Sequence, residues 1–205
     1  MNYTELSTAI QNYAENTESN FVAEIPVFVQ QAEQRIYNSV QFPSLRKNVT
    51  GHTSSNNKYL SAPDDFLSAY SMAVIDADGN YEYLLNKDVN FIRQAYPSPN
   101  DTDIPKYYAL FGPTVSGSSI SNELSFILGP TPDAVYSIEL HYYYYPESIT
   151  VASSGHTWLG DNFDTVLLYG SLVEAYTFMK GETDMVQLYN QKYMEALALA
   201  KRLGD

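Results

Sequence analysis

Between residues 163 and 178 the chain is apolar around most of a helical wheel, with Asp164 and Glu174 as its only charges. A surface helix carries one apolar stripe, so this pattern predicts a helix packed on several sides. The Asp161-Asn162 pair can accept hydrogen bonds from free backbone N–H groups and marks the expected start. Gly181 marks the expected end, with Lys180 in the last turn, where a cation suits the helix dipole. Trp158, just ahead of the start, is expected to be a buried aromatic that pins the junction between a helical bundle and a β-rich module. Trp158, Asp161, Leu167 and Tyr176 are then the residues of a structural hub.

Three other stretches share the helical period. Leu6, Ala9, Ile10 and Tyr13 form one face of a first helix that Thr4 can cap, and the polar Asn16–Asn20 stretch ends it. A second helix is predicted from Glu24-Ile25-Pro26, since proline suits a first turn. Its face is Phe28, Val29, Ala32, Ile36 and Val40, and Gln41-Phe42-Pro43 breaks it. The last helix, opened by Glu182-Thr183-Asp184, has apolar positions Val186, Tyr189, Tyr193, Ala196, Leu197 and Ala200 and ends near Arg202-Leu203-Gly204.

From Leu45 to Pro146 the period changes to short aromatic and β-branched runs between Pro, Gly, Asn and Asp. Strands are predicted over Asn48–Thr53, Lys58–Leu60, Ala69–Ile75, Tyr81–Leu85, Lys106–Phe111, Glu123–Leu128 and Val135–Tyr145. Asp76-Ala-Asp-Gly-Asn80 reads as a hairpin turn. Pro97–Asp103 and Pro113–Ser121 read as loops, the second with the composition of a mobile hairpin tip. Asn86–Ala95 is left open between an extended stretch and a short helix, and Thr150–Thr157 is a polar connector. The expected fold is α+β: a four-helix bundle from residues 1–44 and 156–205, with a β-rich module, residues 45–155, inserted in one connection.

Within His141-Tyr-Tyr-Tyr-Tyr145, alternate rings face opposite sides of a strand, so Tyr142 and Tyr144 share one face and Tyr143 and Tyr145 the other. One set caps the core; a row left outward needs cover from a neighbouring subunit, unless the sheet is buried on both faces within one chain. Tyr142, Tyr144, Tyr189 and Tyr193, with the terminal cations Lys201 and Arg202, are the expected contacts with partners or other copies.

Composition narrows the partners. Lys and Arg total 11 against 24 Asp and Glu, a net charge of -13, which argues against a nucleic-acid binder needing cations for phosphates. The 205 residues are 44% hydrophobic, enough for a sizeable core, and include 19 tyrosines. There is no cysteine, so neither disulfides nor thiolate chemistry can arise. No secretory signal or membrane span is expected, and Asn2, Asn48 and Asn100, each in an Asn-x-Thr triplet, are expected to carry no glycan.

No hydrolase, zinc-protease or phosphate-loop motif occurs. His52, His141 and His156 lie far apart, and Ser154-Gly-His156 has no recognisable acid partner. Asp76–Asn80 lacks the distal glutamate of a calcium loop, and Asp101-Thr-Asp103 could at most hold a divalent ion weakly; turn chemistry accounts for both. No catalysis, metal or cofactor is expected.

The order of several segments resembles the head–tail adaptor, or connector, proteins of tailed bacteriophages, in particular those of short-tailed and related phages. The resemblance rests on Ala32-Glu-Gln-Arg-Ile36 followed by Gln41-Phe-Pro-Ser-Leu-Arg46, then Tyr59-Leu-Ser-Ala-Pro-Asp-Asp-Phe66, Lys106-Tyr-Tyr-Ala109 and Phe126-Ile-Leu-Gly-Pro-Thr-Pro132. Glu139–Tyr145, Trp158-Leu-Gly-Asp through Glu174-Ala-Tyr-Thr-Phe-Met-Lys, and Asp184 complete it. It implies a non-enzymatic virion protein of the neck or tail, assembled in the host cytoplasm. Twelve copies would form a ring between the portal protein and a tail nozzle or tail tube protein. DNA would pass through the ring without specific binding, which an acidic lumen would favour. The competing expectation is a tail-associated module that recognises protein or carbohydrate through its Tyr-rich β region.

Overall fold

A computed structural model of the chain describes residues 1–76, 78–112, 114–116, 119–121 and 124–204, with side chains described outside 113–123 and 203–205. It is a mixed α and β protein. Among the described residues there are six α-helices: α1 (Tyr3–Ala14), α2 (Ser19–Ser39), α3 (Val89–Ala95), α4 (Trp158–Asn162), α5 (Asp164–Phe178) and α6 (Thr183–Gly204). The chain divides into a helical unit, Met1–Leu45 with Tyr145–Asp205, and a β unit, Arg46–Tyr144.

In the helical unit α5 packs against α1, α2 and α6. Val166, Leu167, Leu168, Ser171, Leu172, Val173 and Ala175 are all buried, so α5 has little free face. Gly170 lets the neighbours approach: a Cβ there would stand 3.1 Å from the Ala32 methyl and 3.2 Å from the Tyr193 ring. The helix does not start at Asp161-Asn162. Thr157 caps the short α4 by accepting the Gly160 N–H, and the backbone breaks at Phe163 (φ -137°, ψ 43°) before α5 begins. The Phe163 ring packs on Phe42 and Trp158 at 5.1 and 5.3 Å.

Gly181 is not the left-handed residue that ends α5. Lys180 takes that conformation (φ 53°), with its N–H donating to Thr177 and that of Gly181 to Tyr176, the bond pattern of a Schellman cap. Gly181 is needed for space, since a Cβ would come within 2.7 Å of the Tyr176 ring. At the other end of the chain, Asn2 rather than Thr4 caps α1, exchanging bonds with Glu5 in a capping box. Helix α2 starts at Ser19, well before Pro26, which sits inside it. Buried Phe21, whose ring lies 5.8 Å from Phe28 and 6.5 Å from Phe178, holds the extra turns against proline's lost N–H.

The segment from Tyr145 to Gly155, read from sequence as part of the β module, belongs to the helical unit. Ile149 is buried there, and its N–H donates to the Glu33 carboxylate at 2.9 Å.

The β unit holds two four-stranded sheets and a separate hairpin. In the first sheet β1 (Arg46–His52), β10 (Ser137–Tyr143), β3 (Ser68–Ile75) and β4 (Tyr81–Tyr83) lie side by side, all antiparallel. The second is ordered β2 (Tyr59–Ser61), β9 (Ser125–Gly129), β6 (Tyr107–Phe111), β5 (Leu85–Asn86), with β5 parallel to β6. Met72, Val74, Ile138, Leu140 and Tyr142 from the first sheet meet Tyr108, Phe126 and Leu128 from the second in one core. Ile127 and Ala109 point the other way, under Ile92 of α3, which covers the second sheet's outer face.

The single strand expected over Tyr81–Leu85 is therefore two. Buried Leu84 occupies the crossing point, where the chain leaves one sheet for the other. The turn before it forms as expected, with Gly79 at φ 84° and the Asp76 carboxylate accepting from Asp78 and Asn80. In the expected loop Pro113–Ser121, β7 (Thr114–Ser116) and β8 (Ser119–Ser121) pair as a hairpin. Residues 113, 117 and 118 of this stretch, which reads from sequence as a mobile hairpin tip, lie outside the described residues.

Candidate interaction surfaces

Strand β10 alternates strictly, with Ile138, Leu140 and Tyr142 turned to the core and Glu139, His141 and Tyr143 turned away. This places Tyr142 inside the protomer at 1% exposure, and the expectation that it meets a partner is corrected. Its hydroxyl donates to Asp65 at 2.7 Å. The other Asp65 oxygen accepts from Lys47 at 2.8 Å, and that bond foremost holds the Asp65 carboxyl below its usual range. Tyr144 packs partly buried against the same core, with the Lys47 ammonium 4.9 Å from its ring centre.

The rings that do face out on this sheet are others. A bulge in β3 opposite His141 and Tyr142 leaves Tyr70 unpaired. Tyr70 stands 6.5 Å from the His141 ring and 6.1 Å from Tyr143, under the Arg46 guanidinium at 4.8 Å. Along the same sheet lie Tyr81, whose hydroxyl donates to Glu139 at 3.4 Å, and Tyr83, 66% exposed. The alternation of β3 and β4 carried the signal for these residues, but the run at Tyr142–Tyr145 is denser in the sequence. Tyr145 is not on the strand at all. β10 ends at Tyr143, and the Tyr145 hydroxyl donates to Asn38 in the helical unit.

Tyr189 and Tyr193 are also interior, at 7% and 2% exposure, because both lie on the face of α6 turned to α5. Tyr189 gathers Tyr13, Tyr169 and Tyr176 around it at 6.4, 6.2 and 4.9 Å. Burial first, and the Tyr176 hydroxyl second, push its phenol up to about 12. Tyr193 lies below the Arg35 guanidinium, which pairs with Glu174. Of the six expected contact residues, only Lys201 and Arg202, in the last turn of α6, are exposed.

The hub residues divide as well. Leu167 is buried in α5, and the Tyr176 hydroxyl donates to the Tyr13 carbonyl at 3.1 Å. Trp158 is 43% exposed, edge-on to Phe42 and tilted against Phe163, so its expected burial is not observed. Asp161 accepts from His156 Nδ1 at 2.8 Å rather than capping a helix. The Ser154 hydroxyl donates to the His156 carbonyl, not to its ring. The loop carboxylates are likewise taken up by turns: Asp101 accepts the Ser98 N–H and Asp103 that of Ile104. Among the described residues no group of three or more acids and histidines is placed to hold a metal ion, and no helix is long and apolar enough to cross a membrane.

Among the described residues one carboxyl group is buried, and no reading of the sequence singled it out. Glu33 is 3% exposed on α2, beside an open cavity of about 190 Å³ lined also by Gln30, Gln34, Tyr37, Tyr145, Pro146 and Ser148. Its pattern position on an otherwise apolar stripe was the available signal. Burial pushes its carboxyl above the ordinary value, against the Ile149 N–H and the Ser148 side chain, which pull it down. A pKa raised on folding contributes stability that is complete below the unfolded value and is lost as pH rises through the folded one. Glu33→Gln keeps an acceptor for Ile149 without the charge. The variant is expected to melt above the wild type at neutral pH, with the gap closing as pH falls through the raised folded value and gone below the ordinary glutamate value of about 4.3. Thermal melts across that range check it, and a lower neutral-pH melting temperature would contradict it.

No curated protein matches the sequence. The family model for the SU10 adaptor protein matches residues 1–205, the whole chain. The chain belongs to the SU10 adaptor protein family, and is thereby a bacteriophage adaptor and a structural component of the virion.

Proposed function

We propose that this chain is the head-to-tail adaptor of a short-tailed or related phage. A ring of twelve copies sits beneath the portal protein and joins the capsid vertex to a tail nozzle or tail tube protein. The ring occupies the virion neck, assembles in the host cytoplasm and lines the path of the DNA without catalysis or cofactor. In this reading α1, α2, α5 and α6 work as a single four-helix bundle. The observation that carries it is the match of residues 1–205 to the adaptor family. Two features support it. The net charge of -13 suits a lumen along which a polyanion slides instead of sticking. The outward Tyr70, Tyr81 and Tyr83 suit a protein whose sides are covered by neighbours.

Electron microscopy of the purified chain mixed with portal rings tests the proposal. The expected result is an added ring of twelve-fold density on one portal face, with no tight DNA binding by the free chain at physiological salt. Portal particles without added density would overturn it.

A further inference from the structure

The cavity beside Glu33 has the chemistry of a cation site. Its floor is a buried carboxylate, and among the described residues no lysine, arginine or histidine lies within ion-pair distance of it. The nearest cation in sequence, Arg35, is engaged by Glu174. One Glu33 oxygen accepts the Ile149 N–H, and with the Ser148 side chain beside it the carboxylate has neutral partners and no counter-charge. Burying an ionised carboxylate without a counter-charge is costly, and a cation arriving from outside recovers part of that cost.

The walls select among cations. The Tyr37 and Tyr145 rings stand 6.4 Å apart on one side, and their faces attract a positive charge. The Gln30 amide N–H donates to Thr150, and exposed Gln34 adds a second amide to the lining. The lining thus offers a carboxylate, amide oxygens and aromatic faces. A guanidinium is planar, stacks on rings and carries five donors, whereas an ammonium is a compact point charge that holds its water more strongly. At about 190 Å³ the cavity suits one long side chain and falls below the roughly 300–1,000 Å³ of cofactor-sized sites.

We infer that the Glu33 cavity of the helical unit is a docking pocket for an arginine side chain presented by a partner protein. The charge balance of the chain, 24 acids against 11 bases, favours a basic partner segment. The inference stands on the pocket alone and holds whether or not the chain forms a ring.

Titration of the isotope-labelled full chain with N-acetyl-arginine N-methylamide, followed by amide NMR shifts, tests it. The expected result is saturable shifts confined to Gln30, Gln34, Ile149 and their neighbours, with a millimolar Kd, and none with the uncharged norleucine analogue. Glu33→Gln should weaken the arginine probe at least about tenfold. Gln34→Lys, an exposed helical substitution that keeps the fold and puts a cation at the mouth, should weaken it comparably. Shifts scattered over the acidic surface, equal shifts with norleucine, or wild-type affinity in both variants would overturn the inference.

Discussion

Replacing Tyr142 with Ala is expected to lower the stability of the β unit by about 3–5 kcal/mol, the usual range for removing a buried aromatic. The ring is 1% exposed, stands 5.9 Å from Phe66, and fills the layer between Leu140 and Phe126. Truncation would leave a void where rings from both sheets converge. It would also remove the donor to Asp65, leaving Lys47 as that carboxylate's side-chain partner. Tyr142→Phe separates the two effects and should cost about 1 kcal/mol for the hydrogen bond. Tyr143→Ala, one position on and facing out, should also cost about 1 kcal/mol, the loss of one edge contact with Tyr70. Urea denaturation of the three variants, followed by circular dichroism, measures all of this. For a unit of this size each kcal/mol moves the melting temperature by about 4–8 °C. Equal losses for Tyr142→Ala and Tyr143→Ala would sink the facing assigned to β10.

Leu172→Ala in α5 is expected to cost about 2–5 kcal/mol, because its side chain has no exposed surface and its helix is held on several sides. A helix with packed neighbours on several sides shifts little to close a void, which puts the expected loss in the upper half of that range. Trp158→Ala, although it removes a larger side chain, should cost about 1–2 kcal/mol: its ring contacts are an edge pair with Phe42 and a tilted pair with Phe163, and much of its surface already meets water. The same denaturation experiment ranks the two. A Trp158→Ala loss exceeding that of Leu172→Ala would return the centre of the helical unit to the tryptophan.

The contrast between these pairs shows what kind of information a sequence carries. The period of α5 and its near-absence of charge state that the helix is enclosed. They do not state that Phe163 breaks its first turn, because that break follows from where the Phe42 and Trp158 rings stand. Proline at position 26 reads as a first-turn residue by local preference; Phe21, packing on Phe28 and Phe178 across the unit, extends the helix past it. Left-handed Lys180 in place of Gly181 is a similar case, in which Tyr176 claims the space that a Cβ at position 181 would need.

The candidate contact residues were legible as types and not as positions. A tyrosine-rich strand announces alternation, but which parity faces the core depends on register against β1 and β3. A slip of one residue would exchange the two sets. The Glu33 cavity was hidden more fully. Its floor and its walls come from segments more than a hundred residues apart, α2 and the stretch from Tyr145 to Ser148.

By itself the sequence determined the helical ends, the β-rich middle, the acidic surface and the family, because period, charge and the order of segments are properties of the chain read in one dimension. Only the tertiary structure decided which tyrosines are interior, where the chain changes sheets at Leu84, and that Glu33 is buried without a counter-charge. Those outcomes depend on side chains distant in sequence competing for the same space, and neither propensity nor spacing encodes that competition.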